Sequence, residues 1–526
     1  MYQSIRTLIN NTLGISSVLE KPKEKKFGHF ALPTFALAKD LKKAPNLIAQ
    51  DFAKKLESLS EIASVSTIGG YVNFFLSDSF LESCTNTFKE KLENKNPQKK
   101  EKILLEYVSA NPTGPLHIGH ARGAIFGDCI TRLGNYLGYE ITQEYYINDA
   151  GSQIENLGKS IFFAGEHLFF NKPYELPDGC YRGEYILDLA KEAEKTFGKE
   201  IFTNTENIAK LSVFGKDKML VKIRENLAQI GIVFDNFVSE KELYKEWNET
   251  LKSLEAHNGI YKEDNKLWIK SSEYGDEKDR VVVRESGEPT YLAGDIIYHR
   301  DKFMRGYDSY INIWGADHHG YIPRIKAAIN FMGYDSKRLE VLLSQMVALL
   351  KNGEAYKMSK RAGNFILMKD VVDDVGSDAL RLIFLSKKSD THLEFDVQDL
   401  KKQDSSNPVY YINYAHARVH TLFAKSNISK KEIQVTKLEN LEENLRDLLV
   451  SALSLPKIIE DSFIQKAPQK LVEYLRNLAS ELHHFYNDEK ILGNTKEKEI
   501  LKVLNAVANA LECGLKLLGV NAKKSM

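Results

Sequence analysis

The sequence predicts an α/β protein in three parts. These are a small α+β domain, a central domain on a parallel sheet with a helical insertion, and an all-α bundle at the C-terminal end. Three observations predict it. Short alternating strands around a Gly-Gly turn occupy the first 75 or so residues. From Ile103 an apolar strand, a Pro/Gly loop and a long helical pattern follow one another, the opening of a doubly wound α/β unit. From about residue 376 the apolar period is helical to the end.

In the first part a helical pattern around Phe35 to Leu56 precedes Ala63-Ser64-Val65-Ser66-Thr67-Ile68, whose alternation reads as a strand. Gly69-Gly70 supplies a turn and Tyr71 to Leu76 a second strand. Residues 88–102 are rich in Lys, Glu, Asn and Gln, a solvated run that sets the first domain at 1–98. The second, 99–375, opens with Ile103 to Val108, the loop Asn111-Pro112-Thr113-Gly114-Pro115, a helix from His117 to about Leu137 and a strand from Glu140 to Ile147. Residues from 150 to about 280 are mostly helical and polar and read as an insertion. The sheet is expected to resume at Arg280 to Val283, Tyr310 to Trp314 and Leu339 to Leu350. The third domain, 376–526, carries two apolar stripes, Leu471-Leu475-Leu478-Leu482-Phe485 and Leu504-Val507-Leu511-Leu515-Leu518.

Composition narrows the function classes. Hydrophobic residues at 43% and charged residues at 27% suit a soluble globular chain of 526 residues rather than a disordered one. Lys+Arg and Asp+Glu both total 72, so any surface for nucleic acid is local rather than a global basic field. Cys84, Cys129, Cys180 and Cys513 are scattered, which argues against a zinc site or a disulfide framework and suits a reducing compartment. No stretch reaches the ~18 apolar residues of a membrane span, and the first residues have no apolar signal core, so a cytoplasmic location without membrane partners is expected.

Two motifs carry chemistry. In His117-Ile118-Gly119-His120 the histidines lie three residues apart at a helix start, on one face. The helix N-terminus offers free N–H groups to an anion, and Gly119 leaves room for close approach. Lys357-Met358-Ser359-Lys360-Arg361, beside the turn Lys351-Asn352-Gly353-Glu354, is a basic loop able to close on a triphosphate. Taken singly, the first could be a helix cap and the second a solvated surface loop. Together, in this order and about 240 residues apart, they are specific.

The pair resembles the HIGH and KMSKS signatures of class I aminoacyl-tRNA synthetases, with Arg361 at the last position and both lysines kept. Glu106-Tyr107-Val108-Ser109-Ala110-Asn111-Pro112-Thr113-Gly114-Pro115, Tyr291-Leu292-Ala293-Gly294-Asp295 and Trp314-Gly315-Ala316-Asp317-His318-His319 resemble the arginyl-tRNA synthetases. So do Ser377-Asp378-Ala379-Leu380-Arg381, Asn407-Pro408-Val409-Tyr410-Tyr411 and Gly70 to Phe75. The resemblance covers nearly the whole chain; the tail Ala522-Lys523-Lys524-Ser525-Met526 departs from it.

That resemblance implies a Rossmann-type catalytic domain and the substrates ATP, L-arginine and tRNA(Arg), in a monomer. ATP would contact His117, Gly119, His120, Asp317, His318 and the loop residues Lys357, Met358, Ser359 and Lys360. His117, His120, Lys357 and Lys360 would be catalytic. Glu106 and Asn111 would hold the α-amino end of arginine, and Tyr291 and Asp295 its guanidinium, with His318 nearby. Mg²⁺ would come with ATP, held through phosphates and waters. tRNA would be needed before arginine is activated. Tyr410, Tyr414 and Arg418, at helical spacing, would meet anticodon bases, and Tyr71 and Asn73, on one strand face, a D-loop base. Each could equally be a wall of its own domain. Rival readings are a synthetase for lysine or glutamate, a shorter HIGH-type nucleotidyltransferase, and an inactive RNA-binding paralogue.

Overall fold

A computed structural model describes residues 1–93, 100–356 and 366–526. The chain forms two compact units, residues 98–402 and residues 1–97 together with 403–526.

In the second of these, three antiparallel strands, β1 (Phe30–Pro33), β2 (Ile62–Ile68) and β3 (Tyr71–Leu76), pair in the order β1-β3-β2. Gly69 and Gly70 take the positive φ of the β2–β3 turn, at 53° and 91°. Only the end of the helical pattern expected from Phe35 is an α-helix, Pro45–Leu56, because Pro45 starts it. The bundle helices Gln469–Asp488 and Glu497–Leu517 bury both expected stripes; Leu471, Leu482, Leu504 and Leu511 have no exposure.

Residues 98–402 hold a five-stranded parallel sheet. Its strands are β4 (Lys102–Glu106), β5 (Glu140–Ile147), β6 (Asn236–Ser239), β10 (Ser309–Gly315) and β11 (Leu339–Ser344). Their order is β11-β10-β4-β5-β6. The first strand in sequence is central and the chain winds outward on both sides, so the order reverses between β4 and β10, where such sheets bind ligands at their carboxyl ends.

Four expectations about strands change. β6 lies within the stretch 150–280 read as a helical insertion yet pairs with β5 in this sheet. The run Leu339 to Leu350 is two strands, β11 and Val347–Lys351, the second in another sheet. Arg280–Val283 (β9) does not join this sheet; it pairs antiparallel with β8 (Lys266–Ile269), which pairs with β7 (Ile260–Glu263). Beyond residue 376 one strand, Leu393–Asp396, interrupts the helices and lies parallel to Val347–Lys351.

A layer of buried polar side chains crosses the sheet. Glu106 stands opposite Glu144 on one side and Asn312 on the other. The helix Tyr291–Met304 covers them, and Lys302 Nζ donates to Glu106 Oε2 at 2.6 Å and to Asn312 Oδ1 at 2.8 Å. Tyr298 Oη donates to Glu144 Oε1 at 2.8 Å, and Arg305 forks onto the same carboxylate. Buried charges survive only when paired in this way.

Candidate active site

The site is built at the carboxyl end of β4, from the residues that leave it. Val108 and Ser109 adopt φ of 70° and 43°. A β-branched residue in the left-handed region is strained and persists only where its surroundings over-determine it. Here Ser109 Oγ accepts the Tyr146 N–H at 3.1 Å and donates to Glu106 Oε1 at 3.0 Å. The kink turns the Asn111 loop back over the sheet, where Asn111 Nδ2 donates to Gln153 Oε1 at 2.6 Å.

His117 caps the helix Ile118–Tyr136 in a capping box with His120, whose Nδ1 accepts the His117 N–H at 3.3 Å. The two rings stack with centroids 3.6 Å apart. Burial lowers both imidazoles, His120 to about 3 with His117 adding to the effect. Both are therefore neutral at physiological pH. With its Nδ1 accepting, His120 carries its proton on Nε2 and can donate it outward. A Cβ on Gly119 would lie 3.0 Å from His117 Cε1 and Nδ1, so glycine lets that ring lie flat over the helix start. Gly119→Ala should tilt the stack and lower kcat/KM for ATP about tenfold, with the melting temperature unchanged; steady-state kinetics beside a melt checks this.

Lys357, Met358, Ser359 and Lys360 lie outside the described residues. The chain just after them is tied to the histidine motif. Ile118 N–H donates to Ile366 O at 2.9 Å, Met368 N–H to Leu116 O at 2.9 Å, and His117 bridges Leu367.

The helix Tyr291–Met304, β4 and the end of β6 bring three acidic side chains together. Asp295 accepts the Tyr321 hydroxyl at 2.7 Å. Burial pushes its carboxyl up to about 6; the tyrosine opposes that and the Glu106 charge adds to it. Tyr291, one turn earlier on the same helix, is 53% exposed at the mouth. The sequence reading missed Glu240, which is 3% exposed and follows β6. Its Oε1 accepts the Tyr244 hydroxyl at 3.3 Å, and its Oε2 is buried without a hydrogen-bond partner. Burial, then the Asp295 charge, push Glu240 up to about 7. A Cβ on Gly294 would sit 2.5 Å from Glu240 Oε1, so that glycine admits the carboxylate against the helix. Asp317 and His318 are exposed just beyond β10, with His318 Nε2 3.6 Å from Asp317 Oδ2.

The remaining candidates lie in the other unit. Tyr71 meets Phe35 edge-on at 5.1 Å, and Asn73 is buried in the middle strand. Tyr410 and Tyr414 stack at 5.9 Å, Tyr414 is 40% exposed, and Arg418 lies 3.7 Å over the Tyr486 ring. Among the described residues no group of three or more His, Cys, Asp or Glu could hold a metal ion, and no helix is long and apolar enough to cross a membrane.

Three family descriptions match successive stretches. They are the arginyl-tRNA synthetase N-terminal domain over residues 2–76, the class I (R) tRNA synthetase catalytic domain over 84–421, and the DALR anticodon binding domain over 412–526. The chain is 58% identical to an arginine–tRNA ligase of Wolinella succinogenes and 56% identical to one of Nitratiruptor, in each case over 100% of both chains. An arginyl-tRNA synthetase structure from Thermus thermophilus shares the fold, with a TM-score of 0.80 at 20% identity over 100% of both chains. The switch-point site, the paired histidines and the full-length likenesses agree: the chain belongs to the arginyl-tRNA synthetase family.

Proposed function

We propose that this protein is an arginine–tRNA ligase that joins L-arginine to ATP as arginyl-adenylate, releasing pyrophosphate, and then passes arginine to the terminal ribose of tRNA(Arg). The observation that carries the reading is the cluster of buried acids, Asp295, Glu240 and Glu106, in the same unit as the stacked neutral histidines that start the helix after β4. A guanidinium presents five donors in a planar fork, and carboxylates accept it bidentately. Asp295 and Glu240 take that end, with Tyr291 closing over it. Glu106 and Asn111 take the α-amino end, and the Lys302 ammonium, bonded to Glu106 Oε2, keeps that carboxylate aimed.

The arginine carboxylate is already ionised, so its attack on the α-phosphorus needs position and charge stabilisation rather than a base. His117, Gly119 and His120 hold the triphosphate, Asp317 and His318 the adenosine side, and Lys357 and Lys360, with Met358 and Ser359 of the same motif, neutralise the departing pyrophosphate. The hydrogen bond from Ile118 N–H to Ile366 O supports that assignment, since it places a residue that closely follows the lysine motif in sequence beside the histidines. Mg²⁺ enters with ATP and is held through its phosphates, and the enzyme carries no zinc. tRNA binding precedes activation. Tyr410, Tyr414 and Arg418 stack on anticodon bases, and Tyr71 meets the D-loop, whereas Asn73, expected beside it, is buried in the middle strand and takes no part. The enzyme acts as a monomer in the cytoplasm, without membrane partners.

The raised carboxyls give a pH dependence with a definite sign. A guanidinium is bound by ionised carboxylates, and burial with mutual charge pushes Glu240 up to about 7 and Asp295 up to about 6. Arginine binding therefore releases a proton at low pH, and affinity rises as pH rises through that range. The KM for arginine should fall about tenfold from pH 6 to pH 8, while that for ATP changes little. Charging of tRNA(Arg) with labelled arginine across that range tests this; a KM for arginine that rose with pH would rule out the carboxylate pocket.

A further inference from the structure

Tyr146 carries a buried hydroxyl. It lies on β5, is 7% exposed, and its ring stacks on Tyr298 with centroids 4.2 Å apart and planes at 15°. Its N–H is held by Ser109 Oγ, so ring and backbone are both fixed. Its hydroxyl is buried and has no hydrogen-bond partner. Burial pushes the phenol far up, and the nearby acids Glu240, Asp295 and Glu106 add to this, so it stays neutral beside the acidic cluster.

An unsatisfied buried hydroxyl is costly, and native structures keep few of them. This one shares its pocket with a second idle atom, Glu240 Oε2, and the two do not bond each other. A hydroxyl and an acceptor-only oxygen, both idle around one acidic cluster, await a ligand with several donors. Two carboxylates engage four of the five guanidinium N–H groups and leave one over.

We infer that Tyr146 is a specificity-determining residue of the amino-acid site, its hydroxyl oxygen accepting the guanidinium N–H that Asp295 and Glu240 leave free. This rests on the arginine reading above. A lysine ammonium carries three donors on one atom and cannot reach three separated acceptors, so the third acceptor favours a planar fork.

The test is Tyr146→Phe, which keeps the ring on Tyr298 and removes only the hydroxyl. In tRNA(Arg) charging assays its KM for arginine should rise about 10- to 100-fold, the range for losing a hydrogen bond to a charged group. The KM for ATP should stay within about twofold. The substrate-free variant should melt no lower than the wild type, because the hydroxyl it loses has no partner. A KM for arginine within about twofold of wild type overturns the inference; so does a lowered melting temperature, which would make the hydroxyl structural. Wild-type enzyme that failed to charge arginine would instead remove the reading beneath it.

Discussion

Asp295→Asn is expected to raise the KM for arginine by about 100-fold or more, with little change in the KM for ATP. Truncating one partner of a buried, hydrogen-bonded charge pair typically costs about 2–5 kcal/mol, and ~1.4 kcal/mol is tenfold in affinity. The amide is nearly isosteric and can still accept the Tyr321 hydroxyl, so the fold should be retained. The variant also removes a carboxyl held up at about 6, so the fall of KM between pH 6 and pH 8 should become shallower. An affinity for arginine within about twofold of wild type, well under 1 kcal/mol, would remove Asp295 from the guanidinium site.

Lys360→Ala should act on the other side of the reaction. Its ammonium is assigned to charge that develops as pyrophosphate leaves, so its loss should slow activation about 10²- to 10³-fold, the scale for one preorganised donor at a transition state. The KM for arginine should move by no more than about threefold, because the ground-state complex does not depend on that charge. Single-turnover adenylate formation separates the two effects. Equal losses in rate and arginine affinity would mean that the loop binds the amino acid and not the transition state.

The two variants probe features of unequal visibility in the sequence. The strand–loop–helix opening and the place of the histidine pair at a helix start were legible because each is local: the signal lies within about a dozen consecutive residues. The two bundle stripes were legible because a helical period exposes its own buried face. Arg280–Val283 was placed in the wrong sheet because an apolar run does not encode its partner, and its antiparallel neighbour β8 ends 11 residues earlier, at Ile269. Leu393–Asp396 was missed because four residues are too few to show alternation against a helical background.

Glu240 and Tyr146 were hidden for a different reason. Val238-Ser239-Glu240-Lys241 reads as an ordinary polar strand end, and Tyr146 as one aromatic in an apolar strand. What assigns them to the proposed arginine site is tertiary. β6 joins the edge of the sheet beside β5, and Gly294 brings the helix Tyr291–Met304 against Glu240. The available hints were that both stand at or near carboxyl ends of parallel strands, where this fold binds ligands, and that Gly294 precedes Asp295 in an otherwise helix-forming run.

The central claim is that this pocket selects arginine for activation. It is tested most directly by ATP–pyrophosphate exchange with each of the standard amino acids, with and without tRNA(Arg). Exchange with arginine alone, appearing when tRNA is present, is the predicted result. Exchange with lysine or glutamate in its place would contradict the pocket assignment, and no exchange under any condition would contradict the activity itself.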